Sequence, residues 1–213
     1  MAEIERRLFL RGMSAGVAGG LTAWVHHALA TNRDALRQGM HGTKGEVAVN
    51  GAPVRSGAAI RRGDVVTTGT SAHAVFVLGD NAFLQRENSR VDFGESSVAT
   101  FLRVVTGGLL SVFGKGHRQL VTTVATIGIR GTGCYIETDA RKTYFCLCFG
   151  AVDLRPLNGQ TLSYATKHHE KPVWIENGAT RPASLVNHAD AEIIMLEALV
   201  GRGSPFPAGG SKY

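Results

Sequence analysis

Several functional classes leave no mark on this sequence. Lysine and arginine never form a run longer than a pair such as Arg61-Arg62, and basic and aromatic residues do not interleave. Nucleic acid is therefore not an expected partner, despite a formal net charge of +6. No Gly-x-Ser-x-Gly elbow, no phosphate-cradling glycine loop ahead of a helix and no His-Glu-x-x-His occurs, so a non-enzymatic protein is expected. Aromatic residues make up only 7% of the chain, and between residues 46 and 155 no hydrophobic pattern of period 3.6 is sustained. There are three cysteines, too few for a disulfide scaffold and odd in number, so at least one thiol is unpaired in a monomer.

What the chain does have is glycine, 27 residues of it in 213, spaced as punctuation. Asn50-Gly51 separates Glu46–Val49 from Ala52–Val54, and Gly79-Asp80-Asn81 separates His73–Leu78 from Ala82–Gln85. Gly63-Asp64 introduces Val65–Thr68, and Gly107-Gly108 divides a run at 98–105 from another at 109–113. Turn signals every eight to twelve residues between β-branched runs predict an all-β fold, a sandwich or roll of short, mainly antiparallel strands. Beyond Leu154 the pattern loosens. Strands are expected near 160–165 and 173–176, a polar loop at 167–172, and turns at Asn158-Gly159 and Asn177-Gly178. One helix is expected over 189–200, with Asn187 or His188 at its start, Asp190 and Glu192 in its first turn and Gly201 just past its end. Its Ile193, Leu196 and Val200 share a face that should pack on the β body.

At the N-terminus, Glu5-Arg6-Arg7-Leu8-Phe9-Leu10-Arg11 precedes a weakly apolar stretch, Gly12 to Val25, and a small-x-small site, Ala28-Leu29-Ala30. The pair Arg6-Arg7 and this ending resemble a twin-arginine export signal covering residues 1–30. An uncleaved anchor helix is the alternative, but four glycines and two hydroxyl residues between 12 and 25 make a poor bilayer span. A periplasmic or secreted bacterial location is expected, with no stable membrane span once the signal is removed. The remaining organisation is a linker at 31–44, a β domain at 45–155, an extension with loop, strand and helix at 156–203, and a loose tail at 204–213.

The chemistry concentrates in Ala125–Leu154. Ile127 and Ile129 lead into a corner, Arg130-Gly131-Thr132-Gly133, and a hairpin then turns at 139–142. All three cysteines lie in its arms. Residues two apart on a strand share a face, so Cys146 and Cys148 project together, with Phe145, Leu147 and Phe149 opposite. His168 and His169 follow about twenty residues on, and His188 stands at the helix start. Thiolate and imidazole suit zinc, copper or iron, and a Cys-x-Cys on a strand can offer both sulfurs to one ion. Cys146, Cys148 and His168 or His169 are the expected ligands, with Cys134 and His188 as further candidates. Two readings compete: a disulfide from Cys134 to Cys146 or Cys148, decided by a one-residue change of register, and three inert buried thiols. Arg130 is expected to hold the corner by bonding backbone carbonyls or a carboxylate.

The order of these pieces resembles a family. Val47–Gly51, Gly63–Gly69, Ala74–Asp80, Gly107–Val112, Thr126–Thr132 and Gly150-Ala151-Val152 are similar to successive parts of a FecR domain, with the Arg130-Gly131-Thr132 corner the most specific. The resemblance covers roughly residues 45 to 155. It implies a periplasmic β-rich module of the kind found in iron-transport regulators and other envelope proteins, and it brings no catalytic residues. Unlike the regulator after which that family is named, a cytoplasmic N-terminal domain that could hold a sigma factor is not expected here. The functional expectation is thus a binding or sensing module. The alternatives are a structural domain that docks on cell-wall polymer or an envelope protein, and a regulator paired with an iron-transport or stress system.

Overall fold

The computed structural model describes residues 38–94 and 100–206; residues 1–30, over which the export signal with its Arg6-Arg7 pair is expected, lie outside them. The fold is all-β and sandwich-like, mostly antiparallel, with one helix near the C-terminal end of the described residues. The strands in order are β1 (Gly39–Lys44), β2 (Val47–Val49), β3 (Ala52–Pro53), β4 (Val65–Thr68), β5 (His73–Leu78), β6 (Asn81–Gln85) and β7 (Arg90–Phe93). They continue as β8 (Thr100–Val112), β9 (His117–Val121), β10 (Ala125–Thr138), β11 (Lys142–Pro156), β12 (Leu162–Thr166), β13 (Val173–Glu176) and β14 (Ala179–Pro182). Helix α1 (Asp190–Leu199) closes the series.

Three long strands, β8, β10 and β11, belong to two layers at once. The first half of β10 pairs with β9, and its second half pairs with β8. One layer runs β1-β5-β6-β8-β10-β11-β13-β14, using residues 107–112 of β8, 133–138 of β10 and 142–149 of β11. The other runs β12-β11-β10-β9-β8-β7-β4-β2-β3, with β8 and β9 parallel. The change of layer in β10 falls at Arg130-Gly131-Thr132, the predicted corner. There β10 carries one residue more than β11, and Gly131 supplies a φ of 54°. Arg130 bonds the Asp153 carboxylate of the neighbouring strand at 2.6 Å.

Between the layers lies the main core. Phe83 sits at its centre, with ring centroids 5.2 Å from Phe76 and Phe93 and 5.8 Å from Phe113. Val66, Leu102, Leu120, Ile127, Ile136, Phe145 and Leu147 surround this aromatic group. A second apolar cluster covers the outer face of the first layer, where Val75, Val77, Leu84, Leu110, Val112, Tyr135 and Tyr144 meet Ile193, Leu196 and Leu199 of α1. The helix packs on β6 and β8 as its apolar stripe predicts. It ends in a Schellman arrangement: Gly201, at φ 71°, donates to Ala198 O, and Arg202 N–H reaches Glu197 O.

The turns follow the sequence closely. Asn50 and Gly51 have φ of 52° and 79°, and Asn177 and Gly178 have 50° and 76°, so both pairs close two-residue hairpins. Elsewhere the structure departs from expectation. Gly107-Gly108 does not separate two strands, because β8 runs straight through it. A Cβ at Gly107 would lie 2.1 Å from Ser89 Oγ, and one at Gly108 would lie 2.5 Å from the Tyr135 hydroxyl. These glycines allow close approach across the sheet rather than a turn. Residues 39–44 are not linker but β1, paired with β5. In the tail, Phe206 is buried against Phe149 and the two histidine rings at 168 and 169. Neither β9 nor β14 is apparent from periodicity.

The inner core makes a direct prediction. Phe83→Ala removes the ring that four other phenylalanines pack around and should lower unfolding free energy by about 3–5 kcal/mol, measured by urea denaturation.

Candidate metal centre

Hairpin β10–β11 decides where each thiol goes. Cys134 pairs with Leu147 and Tyr135 with Cys146. Partners across an antiparallel pair share a face, so Cys134 joins Leu147 and Phe145 in the inner core. Cys146 and Cys148 face the other way, toward α1. The expected Cys134 ligand is therefore corrected: a whole sheet separates its side chain from the other two. The same register removes the cross-strand disulfide, and all three cysteines are free.

Strict alternation ends at Cys148. Cys134 pairs with Leu147, yet the preceding residue, Gly133, pairs with Phe149. One residue on β10 thus spans two on β11, and Cys148 is the extra residue of a β-bulge. Because of the bulge, Phe149 turns onto the same side as Cys148 instead of joining Phe145 and Leu147. Gly133 makes room for it, since a Cβ there would stand 2.4 Å from the Phe149 ring.

Two further segments close over the pair of sulfurs. The loop after β12 brings His169, whose backbone N–H donates to Cys148 O at 3.0 Å and whose φ is 51°. The segment leading into α1 brings His188, stacked on Tyr135 with centroids 4.8 Å apart. Cys146 Sγ, Cys148 Sγ and one ring nitrogen each of His169 and His188 all lie within 4.8 Å of one another, and all four residues are buried. His169 Nδ1 is 3.4 Å from Cys146 Sγ and 3.1 Å from His188 Nε2. Metal–sulfur bonds of about 2.3 Å and metal–nitrogen bonds of about 2.05 Å give tetrahedral edges of about 3.55 Å for S···N and about 3.35 Å for N···N. The observed spacings match those edges to within a few tenths of an ångström.

The outer nitrogens are held as ligand histidines require. His188 Nδ1 lies 2.6 Å from Val186 O, and His169 Nε2 lies 3.0 Å from Asp190 Oδ1. A carbonyl and a carboxylate only accept, so both outer nitrogens carry the proton. The inner nitrogens then turn lone pairs toward each other and toward the sulfurs. A proton shared among them, or a cation between all four groups, satisfies that arrangement. The Cys148 thiol, followed by His169 and His188, holds the Cys146 thiol well below the usual thiol range in spite of burial. Burial first, and then Cys146, pushes Cys148 up, so one negative charge forms readily within the pair.

His168 takes a different place from the one expected. Its Nε2 is 2.9 Å from both oxygens of Asp190 and its ring lies 4.4 Å from Phe206. It therefore supports the carboxylate that orients His169 and stands one step away from the sulfurs. His168, His169 and Asp190 also lie within 4.8 Å of one another, but ordinary hydrogen bonds account for that group. Asp190 was visible in the sequence only as a residue suited to the helix dipole. Its place two residues after His188, at the helix start, is the available signal.

The register has a simple consequence for the thiols. Alkylation of the reduced, denatured chain and of the unreduced, denatured chain should both give three adducts by mass spectrometry. A mass two hydrogens lower in the unreduced sample, traced to Cys134 with Cys146 or Cys148, contradicts the pairing described.

No protein-family model matches this chain, and no curated protein matches it. Two crystal structures of a protein from Parabacteroides distasonis, described as a "putative anti-sigma factor", are similar to it at TM-scores of 0.48 and 0.47. Each has 10% sequence identity and covers 63% of this chain, and the matches span 74% and 73% of those chains.

Proposed function

We propose that this chain is a non-enzymatic binding or sensing module that holds one transition-metal ion through Cys146, Cys148, His169 and His188. The observation that carries the reading is the convergence of four buried donor atoms within 4.8 Å from three separate chain segments. Two thiolates and two imidazoles in a tetrahedron suit zinc first, with copper and iron as competitors of similar taste. All four positions are filled by the protein, the pattern of a closed site that holds a metal rather than one that presents it to substrate. His169 and His188 are fixed through Asp190 and the Val186 carbonyl, and two thiolates balance the charge of a divalent ion. An exported location in the bacterial envelope belongs to the same proposal and rests on the N-terminal pattern.

Elemental analysis of untagged protein purified from the cytoplasm should find about one metal ion per chain. The Cys146→Ser, Cys148→Ser double variant should lose it, and Cys134→Ala and His168→Ala should keep it. A wild-type protein without metal, even after incubation with zinc, overturns the reading and leaves a structural interaction domain with buried thiols.

A further inference from the structure

The four donors do not belong to one structural unit. Cys146 and Cys148 sit on β11 in the body of the sandwich, His169 on the loop stitched to the bulge, and His188 just before α1. Helix α1 has ten residues, fewer than an isolated helix needs to persist in water. Its N-cap is Ala189, which has no side-chain oxygen to offer the first-turn N–H groups. Other contacts hold that end. The Glu192 carboxylate accepts from Ala189 N–H at 3.2 Å and pairs with Arg86 at 2.7 Å. Asp190, the first helical residue, is buried and accepts from the rings of His168 and His169.

Asp190 thus does two things at once: it begins the helix and it orients a ligand histidine. His188, two residues earlier, is a ligand itself. Beneath the helix lies the apolar outer face of the first layer, with Val75, Val77, Leu84 and Leu110. Lifting the helix leader breaks the site, and emptying the site leaves the inner nitrogens of His169 and His188 facing each other at 3.1 Å.

We propose that the metal centre is a latch: its occupancy sets how firmly α1 is docked and therefore whether the apolar face beneath it stays covered. This inference rests on the metal-binding reading above and adds the regulation of that site. The inner core between the two sheets contains no ligand and so stays formed in both states. If the undocked form does not bind the ion, free zinc at 100 times its dissociation constant reduces the undocked population about 100-fold.

Amide hydrogen exchange on the full chain, zinc-loaded and chelator-stripped, reads this directly. Amides of Ile193–Leu199 should exchange about 100-fold more slowly with zinc at that concentration, while those of Val66, Val91 and Leu120 in the sheets remain within about twofold. Asp190→Ala keeps all four ligands and should still bind zinc, about 10–100-fold more weakly. In that variant at the same free zinc concentration, the zinc-dependent slowing should shrink to about 2–11-fold. Stoichiometric zinc with unchanged helix exchange overturns the latch and leaves the metal site standing. An Asp190→Ala variant that speeds helix exchange equally with and without zinc also overturns the coupling. No zinc binding at all overturns the metal reading itself, and the latch with it.

Discussion

Side-chain alternation along β10 and β11, interrupted once at Cys148, governs how this molecule divides its interior. Period-two alternation sends Cys134, Ile136, Phe145 and Leu147 into the core between the sheets and Tyr135, Tyr144 and Cys146 to the outer face. A slip of one residue would exchange the two sets and bury the aromatic hydroxyls among the phenylalanines. The bulge then breaks the rule where that is useful. It turns Phe149 onto the side that Cys146 and Cys148 already share, so the Phe149 ring meets Phe206 over the histidine loop.

Polar atoms gathered beneath a helix are costly unless each has a partner. A fold seeking only to seat α1 could use aliphatic residues at 146, 148, 169 and 188 and pack more cheaply. Here the outer positions are satisfied with care: Val186 O for His188, Asp190 for His169, His168 for the remaining capacity of Asp190. The inner positions face one another instead: two ring nitrogens and two sulfurs share one small volume, with His169 Nδ1 3.4 Å from Cys146 Sγ. In the proposed site an ion between them would engage all four donors at once, whereas thiol protons would serve the two nitrogens one by one.

Much of the fold was legible before any coordinates. Asn50-Gly51 and Asn177-Gly178 dictate their hairpins through backbone conformations that few other residues accept. The shared face of Cys146 and Cys148 follows from their spacing alone. The helix was marked by its apolar stripe and by Gly201. Other features depended on distant partners and so left no local trace. β1 reads as Gly-Met-His-Gly-Thr-Lys, with nothing to suggest a strand, and owes its conformation to β5. Gly107-Gly108 looks like a turn, but the glycines are there to let Ser89 and Tyr135 approach. Choosing between adjacent His168 and His169 required the left-handed backbone at His169 and the position of Asp190, neither of which spacing encodes. Cys134 is undecidable for another reason: the turn signal at 139–142 fixes register only to within a residue, and the face of the sheet changes with each one.

The two apolar clusters differ in what they need. The inner one is closed by strands from both layers and by edge-to-face phenylalanines, so its integrity depends on residues far apart in sequence. The outer one has a single short helix as its lid, with Phe206 at one margin. That lid is fastened at its C-terminal end by Arg202, which bonds the Glu197 carboxylate and reaches Asp80 O at 2.8 Å. At its N-terminal end the fastening runs through Arg86, Glu192, Asp190 and the histidines. Local opening follows the weakest fastening rather than the average. In the proposed metal site, His169 and His188 at one end of a short helix would confine the effect of an ion to one layer. A metal buried in the inner core would instead decide whether the protein folds at all.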